Sequence, residues 1–141
     1  MNARERANRL AAEGKNCGQS VLLAFAEELG YDAEEMRRFT SAFGCGMCSG
    51  NLCGAISASA MVLSYLYKGD TDRTWEALDE LSKEFKEQEG SILCRDILGY
   101  DITKGNNYEK ALQDRDFLFK CRPAICLAAE LLEKFLEAEK N

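Results

Sequence analysis

Apolar residues recur at three- and four-residue intervals along most of the chain, and no segment sustains the alternation of a half-buried strand. Asn2 to Glu13 is weakly amphipathic, with Ala3, Ala7 and Leu10 on one side and Gly14 as its stop. Asn16 can cap a second helix over Cys17 to Leu29, which is apolar almost all round and so belongs at the centre. A short third helix follows from Asp32 to about Thr40, and Cys53 to Tyr67 reads as a fourth. The next begins near Asp70 and sets Trp75, Leu78, Leu81 and Phe85 on one apolar stripe opposite a Glu- and Lys-rich face. Ser91 to Leu98 is a short helix carrying Cys94, and Tyr108 to Phe119 is a further helical stretch. The last helix runs from near Cys121 to the end, with Pro123 in its first turn, where a missing N–H costs nothing. The pattern predicts an all-α, single-domain bundle over residues 1–141. It has about six to seven helices and a Gly/Cys-rich loop from Phe43 to Asn51.

Charge narrows the choice of partners. Asp and Glu number 24 against 18 Lys and Arg, a net charge of −6. An acidic surface repels phosphate backbones, so neither nucleic acid nor an anionic membrane is an expected partner. The first residues are polar and charged, which gives no reason to expect a secretory signal. The most apolar run, Leu52 to Tyr67, contains three serines and a glycine and is too short to span a bilayer. A cytoplasmic, thiol-reducing location is therefore expected.

That location makes the cysteines informative, because there are 7 of them and no histidine. Without histidine there is no Ser–His or Cys–His nucleophilic pair and no mixed Cys/His zinc site. In the last helix Cys121 falls on the stripe of Ala124, Ile125, Ala128, Leu131, Leu132 and Phe135 and should point inward. Cys126 falls among Glu130, Glu133 and Glu137 and should face water as a dispensable bystander. Cys53 heads a face of small residues, Ser57, Ala60 and Ser64, on which a backbone, a cofactor or a second copy could approach closely. Cys17, Cys53 and Cys121 lie at or beside helix starts, where free N–H groups favour a thiolate. Cys53 reads as the best placed nucleophile of the three. Arg95 and Arg122 follow Cys94 and Cys121 directly and could add positive charge. Cys45-x-x-Cys48 is a local pair that can grip a metal or close a small-ring disulfide.

With these residues placed, the chain resembles the C_GCAxxG_C_C family of redox-active proteins. Asn16-Cys17-Gly18 supplies the first cysteine and Leu52-Cys53-Gly54-Ala55 the Cys-Gly-Ala motif. Leu93-Cys94-Arg95 gives the third and Cys121, ahead of Ala128-Ala129-Glu130, the fourth. Ala58 stands where the motif ends in glycine, and Cys45 and Cys48 are additional. The resemblance implies a redox-active site built on Cys17, Cys53, Cys94 and Cys121. Three readings follow. One is thiol–disulfide or electron-transfer chemistry with an unidentified redox partner. Another is an iron–sulfur cluster or zinc bound by the same four with Cys45 and Cys48. The third is a non-catalytic helical module that pairs as a homodimer.

Overall fold

The computed structural model describes residues 1–140. The elements are α1 (Ala3–Ala12), α2 (Cys17–Leu23), α3 (Ala26–Leu29), α4 (Ala33–Phe39), α5 (Gly54–Leu66), α6 (Thr71–Glu89), α7 (Cys94–Leu98), α8 (Asn107–Gln113) and α9 (Arg122–Lys140). Among the described residues there is no strand, only one isolated antiparallel bridge between Leu52 and Leu93. No helix among them is long and apolar enough to cross a membrane.

Local chemistry sets the helix starts. Asn16 caps α2 reciprocally: its Oδ1 accepts the Gln19 N–H at 2.8 Å, and Gln19 Oε1 accepts the Asn16 N–H at 3.1 Å. The same Asn16 donates from Nδ2 to the Thr40 carbonyl at 3.0 Å, tying the start of α2 to the end of α4. The expected single helix over Cys17 to Leu29 is instead broken between α2 and α3. Two carbonyls at the break serve outside groups. Tyr31 donates its hydroxyl to Leu22 O, and Arg6 Nε donates to Ala24 O at 2.7 Å.

Helices α1, α2, α5, α6 and α9 enclose the main core around Leu22, Phe25, Val62, Leu63, Leu81, Phe85 and Leu132. On α6 the buried stripe is Thr74, Ala77, Leu81 and Phe85, not the one expected through Trp75, which is 74% exposed. Trp75 sits six positions before Leu81, about 120° round the helix at about 100° per residue.

Cys126 is likewise corrected, because it is buried at 5% exposure rather than facing water. Its neighbours on α9 are acidic, but α1 lies across that side of the helix. Ala3 and Ala7 are fully buried and let the backbones approach. Glu133 accepts the Ala3 N–H at 2.8 Å, Arg4 pairs with Glu130 at 3.2 Å, and Cys126 Sγ lies 3.9 Å from Asn8 Oδ1. The wheel of one helix could not reveal that another helix covers it.

A second, smaller core is formed by Cys94, Leu98, Ile102 and Ala111, with Cys45, Tyr100, Phe117 and Cys121 packed against it. The chain reaches it by returning to the start of α5. Cys53 N–H donates to Ile92 O at 2.9 Å and Cys94 N–H to Asn51 O at 2.6 Å, on either side of the Leu52–Leu93 bridge. The small-residue face of α5 does not form a uniform seam, since Cys53 is buried, Ser57 and Ala60 are half-buried and Ser64 is exposed.

Candidate functional site

Between the two cores lies a cavity of about 580 Å³ whose lining includes Cys17, Cys45, Cys53, Cys94 and Cys121. Five thiols separated in sequence by up to three-quarters of the chain therefore share one space. All are free, as are Cys48 and Cys126, which lie outside this lining.

Glycines make the meeting geometrically feasible. Cys17 and Cys53 are each followed by glycine, at the first residue of α2 and at the cap of α5. A Cβ on Gly54 would stand 2.3 Å from Phe43 O and 2.5 Å from Cys17 Sγ. One on Gly18 would stand 2.6 Å from Phe43 Cβ. Real Cβ atoms do not come that close, so the two helix starts and the Phe43 backbone meet only because both positions lack a side chain.

The Cys17 and Cys53 side chains act on each other, and this splits their acidities. Cys17 is brought down from 9.0 to about 7, chiefly by the Cys53 thiol, against the opposing effect of burial and with help from the Gly54, Gly18 and Cys17 backbone N–H groups. Cys53 is pushed well above 9.0 by the Cys17 thiolate and by burial. Two thiolates in contact would repel each other, so one proton stays in the pair. It stays on Cys53, because the N–H groups of Cys17, Gly18 and Gly54 favour the Cys17 thiolate against the Ala55 N–H alone at Cys53. As a neutral thiol, Cys17 directs its S–H to Phe43 O at 3.6 Å. Ionisation exchanges that contact for bonds received from Cys53 and the backbone. The acidity is lowered on Cys17, which is half-buried and within reach of the cavity, and raised on Cys53, the residue expected to be the best placed nucleophile.

The remaining cavity thiols stay protonated. Burial raises Cys94 to about 12 and Cys121 to about 12, with further repulsion from Cys17, and burial raises Cys45 as well. Cys94 begins α7, whereas Cys121 closes a wide π-type turn, Phe117–Cys121, that leads into α9. Cys45 reaches the cavity from an unusual backbone. Residues 45 to 48 all have positive φ, at 53°, 64°, 62° and 57°, which winds Cys45-Gly46-Met47-Cys48 left-handed. Such a conformation costs an L-residue about 1–2 kcal/mol. Gly46 must be glycine for a second reason, because a Cβ there would lie 2.5 Å from Asn51 N and 2.8 Å from Cys94 Cβ. Cys48 is exposed, with its thiol 3.7 Å from Ala42 O. Among the described residues no group of three or more Cys, Asp or Glu is arranged to hold a metal ion.

Sequence reasoning missed the roles of Phe43 and the two glycines, although the Cys-Gly pair repeated at two helix starts was a visible signal. It also paired Arg95 with Cys94, whereas Arg95 Nη1 donates to Asn51 Oδ1 at 2.7 Å and is outside the cavity lining. Arg122 does line the cavity.

The family described as "Putative redox-active protein (C_GCAxxG_C_C)" matches residues 15–135. No curated protein and no solved structure matches.

Proposed function

The chain belongs to the C_GCAxxG_C_C family, and from that premise we propose that it exchanges disulfides through Cys17 as nucleophile and Cys53 as resolving thiol. The observation that carries this reading is the placement of Cys17 and Cys53 on one cavity wall, with Cys17 Sγ packed against Gly54 beside Cys53; the acidity lowered on Cys17 and raised on Cys53 supports it. The thiolate is the reactive form of cysteine, and only Cys17 of the five cavity thiols is held near its ionised state at neutral pH.

The chemistry balances without any further group. Cys17 thiolate attacks one sulfur of a substrate disulfide, R–S–S–R, forming a Cys17–S–S–R bond and expelling RS⁻. Cys53 then loses its proton to the departing thiolate or to solvent and attacks Cys17 Sγ. A Cys17–Cys53 disulfide forms and the second RS⁻ leaves. Two protein thiols are oxidised and one substrate disulfide is reduced. A dithiol reductant, the redox partner of this reading, returns the protein pair to its starting state. Cys94, Cys121 and Cys45 border the reaction as neutral thiols and do not compete as nucleophiles. Seven free thiols suit a reducing compartment such as the cytoplasm.

A zinc or iron–sulfur site would draw on the same residues but needs several sulfurs ionised and converging on one centre. Its support is weaker, since no trio of described side chains is arranged that way. The test is a trapping experiment with Cys53→Ser. Mixing this variant with a disulfide should leave a stable adduct on Cys17, and Cys17→Ser should leave none. An adduct that accumulates on Cys45, Cys94 or Cys121 instead would overturn the assignment.

A further inference from the structure

Resting on the thiol–disulfide reading above, we propose that the substrate is a small acidic disulfide: a low-molecular-weight R–S–S–R whose R groups carry carboxylates. The cavity's size of about 580 Å³ falls in the range of pockets that enclose small organic ligands. Its electrostatics select among them.

The chain as a whole carries 24 acidic against 18 basic residues, yet not one Asp or Glu lines the cavity. Lys15, Arg115 and Arg122 do. Among the described residues none of the three lies within salt-bridge distance of a carboxylate. Arg122 donates to the neutral Asn8 at 3.3 Å, and Arg115 lies over the Phe119 ring at 5.6 Å. Two acids act on cavity thiols from behind this wall: Asp116, already engaged by the Tyr100 hydroxyl and by Lys120 at 3.8 Å, and Asp101, bonded by Thr103. An acidic protein thus keeps three cations outside any salt bridge along the wall of the cavity that holds the Cys17 thiol. Between them the wall is apolar, with Leu98, Phe117 and Ile125, which suits the methylene groups that join a sulfur to a carboxylate.

The arrangement reverses an intrinsic preference. A thiolate is itself an anion, so in water it reacts more slowly with a dianionic disulfide than with a dicationic one. Guanidinium and ammonium groups on the cavity wall would concentrate the dianion and hold its carboxylates while Cys17 attacks sulfur. The exchange itself is the balanced step given above, with the acidic disulfide reduced to two acidic thiols.

The test is single-turnover oxidation of the fully reduced chain, followed at Cys17 by mass spectrometry. Three small disulfides serve as probes: dithiodiglycolate (dianionic), bis(2-hydroxyethyl) disulfide (neutral) and cystamine (dicationic). At low salt the dianion should react about tenfold or more faster than cystamine, the scale of electrostatic enrichment in a charged cleft. The gap should narrow at about 0.5 M salt as the Debye length shrinks. In a Lys15→Gln, Arg115→Gln double variant the dianion-to-dication rate ratio should fall several-fold. The ratio compares two substrates on one protein, so a change in overall folding yield does not mimic it. Cystamine reacting as fast as the dianion on the unaltered chain, or a ratio untouched by the double variant, would overturn the inference while leaving the exchange chemistry intact. Failure of Cys17 to react with any of the three would overturn the thiol–disulfide reading itself, and the inference with it.

Discussion

Replacing Cys53 by alanine removes the group that contributes most to lowering the acidity of Cys17. What remains is an opposition between burial, which raises the Cys17 pKa, and the Gly54, Gly18 and Cys17 N–H groups, which lower it. The midpoint should therefore move from about 7 to the free-thiol value of about 8.5 or above. At neutral pH the thiolate fraction then falls from about one half to about 3%. Part of that loss is returned, because a more basic thiolate is a better nucleophile. With a Brønsted slope of about 0.4–0.5 over ~1.5 pH units, the intrinsic rate rises about fivefold. The alkylation rate of Cys17 at neutral pH should thus drop only about threefold, while its plateau at high pH rises about fivefold. The full pH–rate profile, with Cys17 followed site by site under a small alkylating agent, separates these two effects. Cys53→Ser restores a hydrogen-bond donor and should keep much of the original midpoint, which a role in packing alone would not explain. A midpoint within about 0.3 units of the unaltered chain in Cys53→Ala would refute the coupling.

Three further outcomes follow from the same geometry. Gly54→Ala drives a Cβ to 2.3 Å from Phe43 O and 2.5 Å from Cys17 Sγ. It should cost about 1–3 kcal/mol in denaturant melts, and an unchanged midpoint would deny the close approach. Cys126→Ser places a hydroxyl in a site that is 5% exposed. It should cost about 1 kcal/mol or more rather than the ~0.5 kcal/mol of a surface change. Cys126 should also resist alkylation in the native state, and rapid labelling there would contradict its cover by α1. In reducing buffer, stability should rise slightly as pH climbs from about 7 toward about 7.5, because the folded state holds the Cys17 thiolate better than the unfolded chain does. It should then fall from about pH 8 upward. In that range unfolding ionises Cys45, Cys53, Cys94, Cys121 and Cys126, which the fold keeps protonated. Thermal melts that decline steadily from neutral pH upward would show that Cys17 is not depressed.

The helical architecture was legible because its signals are local. The caps at Asn2, Asn16, Asp32 and Asp70, the glycine stops and the spacing of Leu81 and Phe85 each act within a turn or two. What the pattern could not carry was contact between distant segments. The break after Leu23 arises from Tyr31 and Arg6, which claim helix carbonyls across 9 and 18 positions. The burial of Cys126 depends on α1, more than a hundred residues earlier in the chain. The four widely spaced cysteines could be chosen from a resemblance, but which of them ionises could not. That choice is made by the backbone N–H groups, those of Cys17, Gly18 and Gly54 at Cys17 against Ala55 alone at Cys53. The left-handed winding of Cys45 to Cys48 was hidden as well, since Met47 and Cys48 are not residues that favour positive φ.

The most direct measurement is a disulfide map of the unaltered chain after one equivalent of a small disulfide has been consumed. Peptides joined through Cys17 and Cys53 should dominate at the earliest times, with Cys45, Cys94, Cys121 and Cys126 still carrying free thiols. A first bond that joins any other pair, Cys45 with Cys48 above all, would contradict the assignment of nucleophile and resolving thiol.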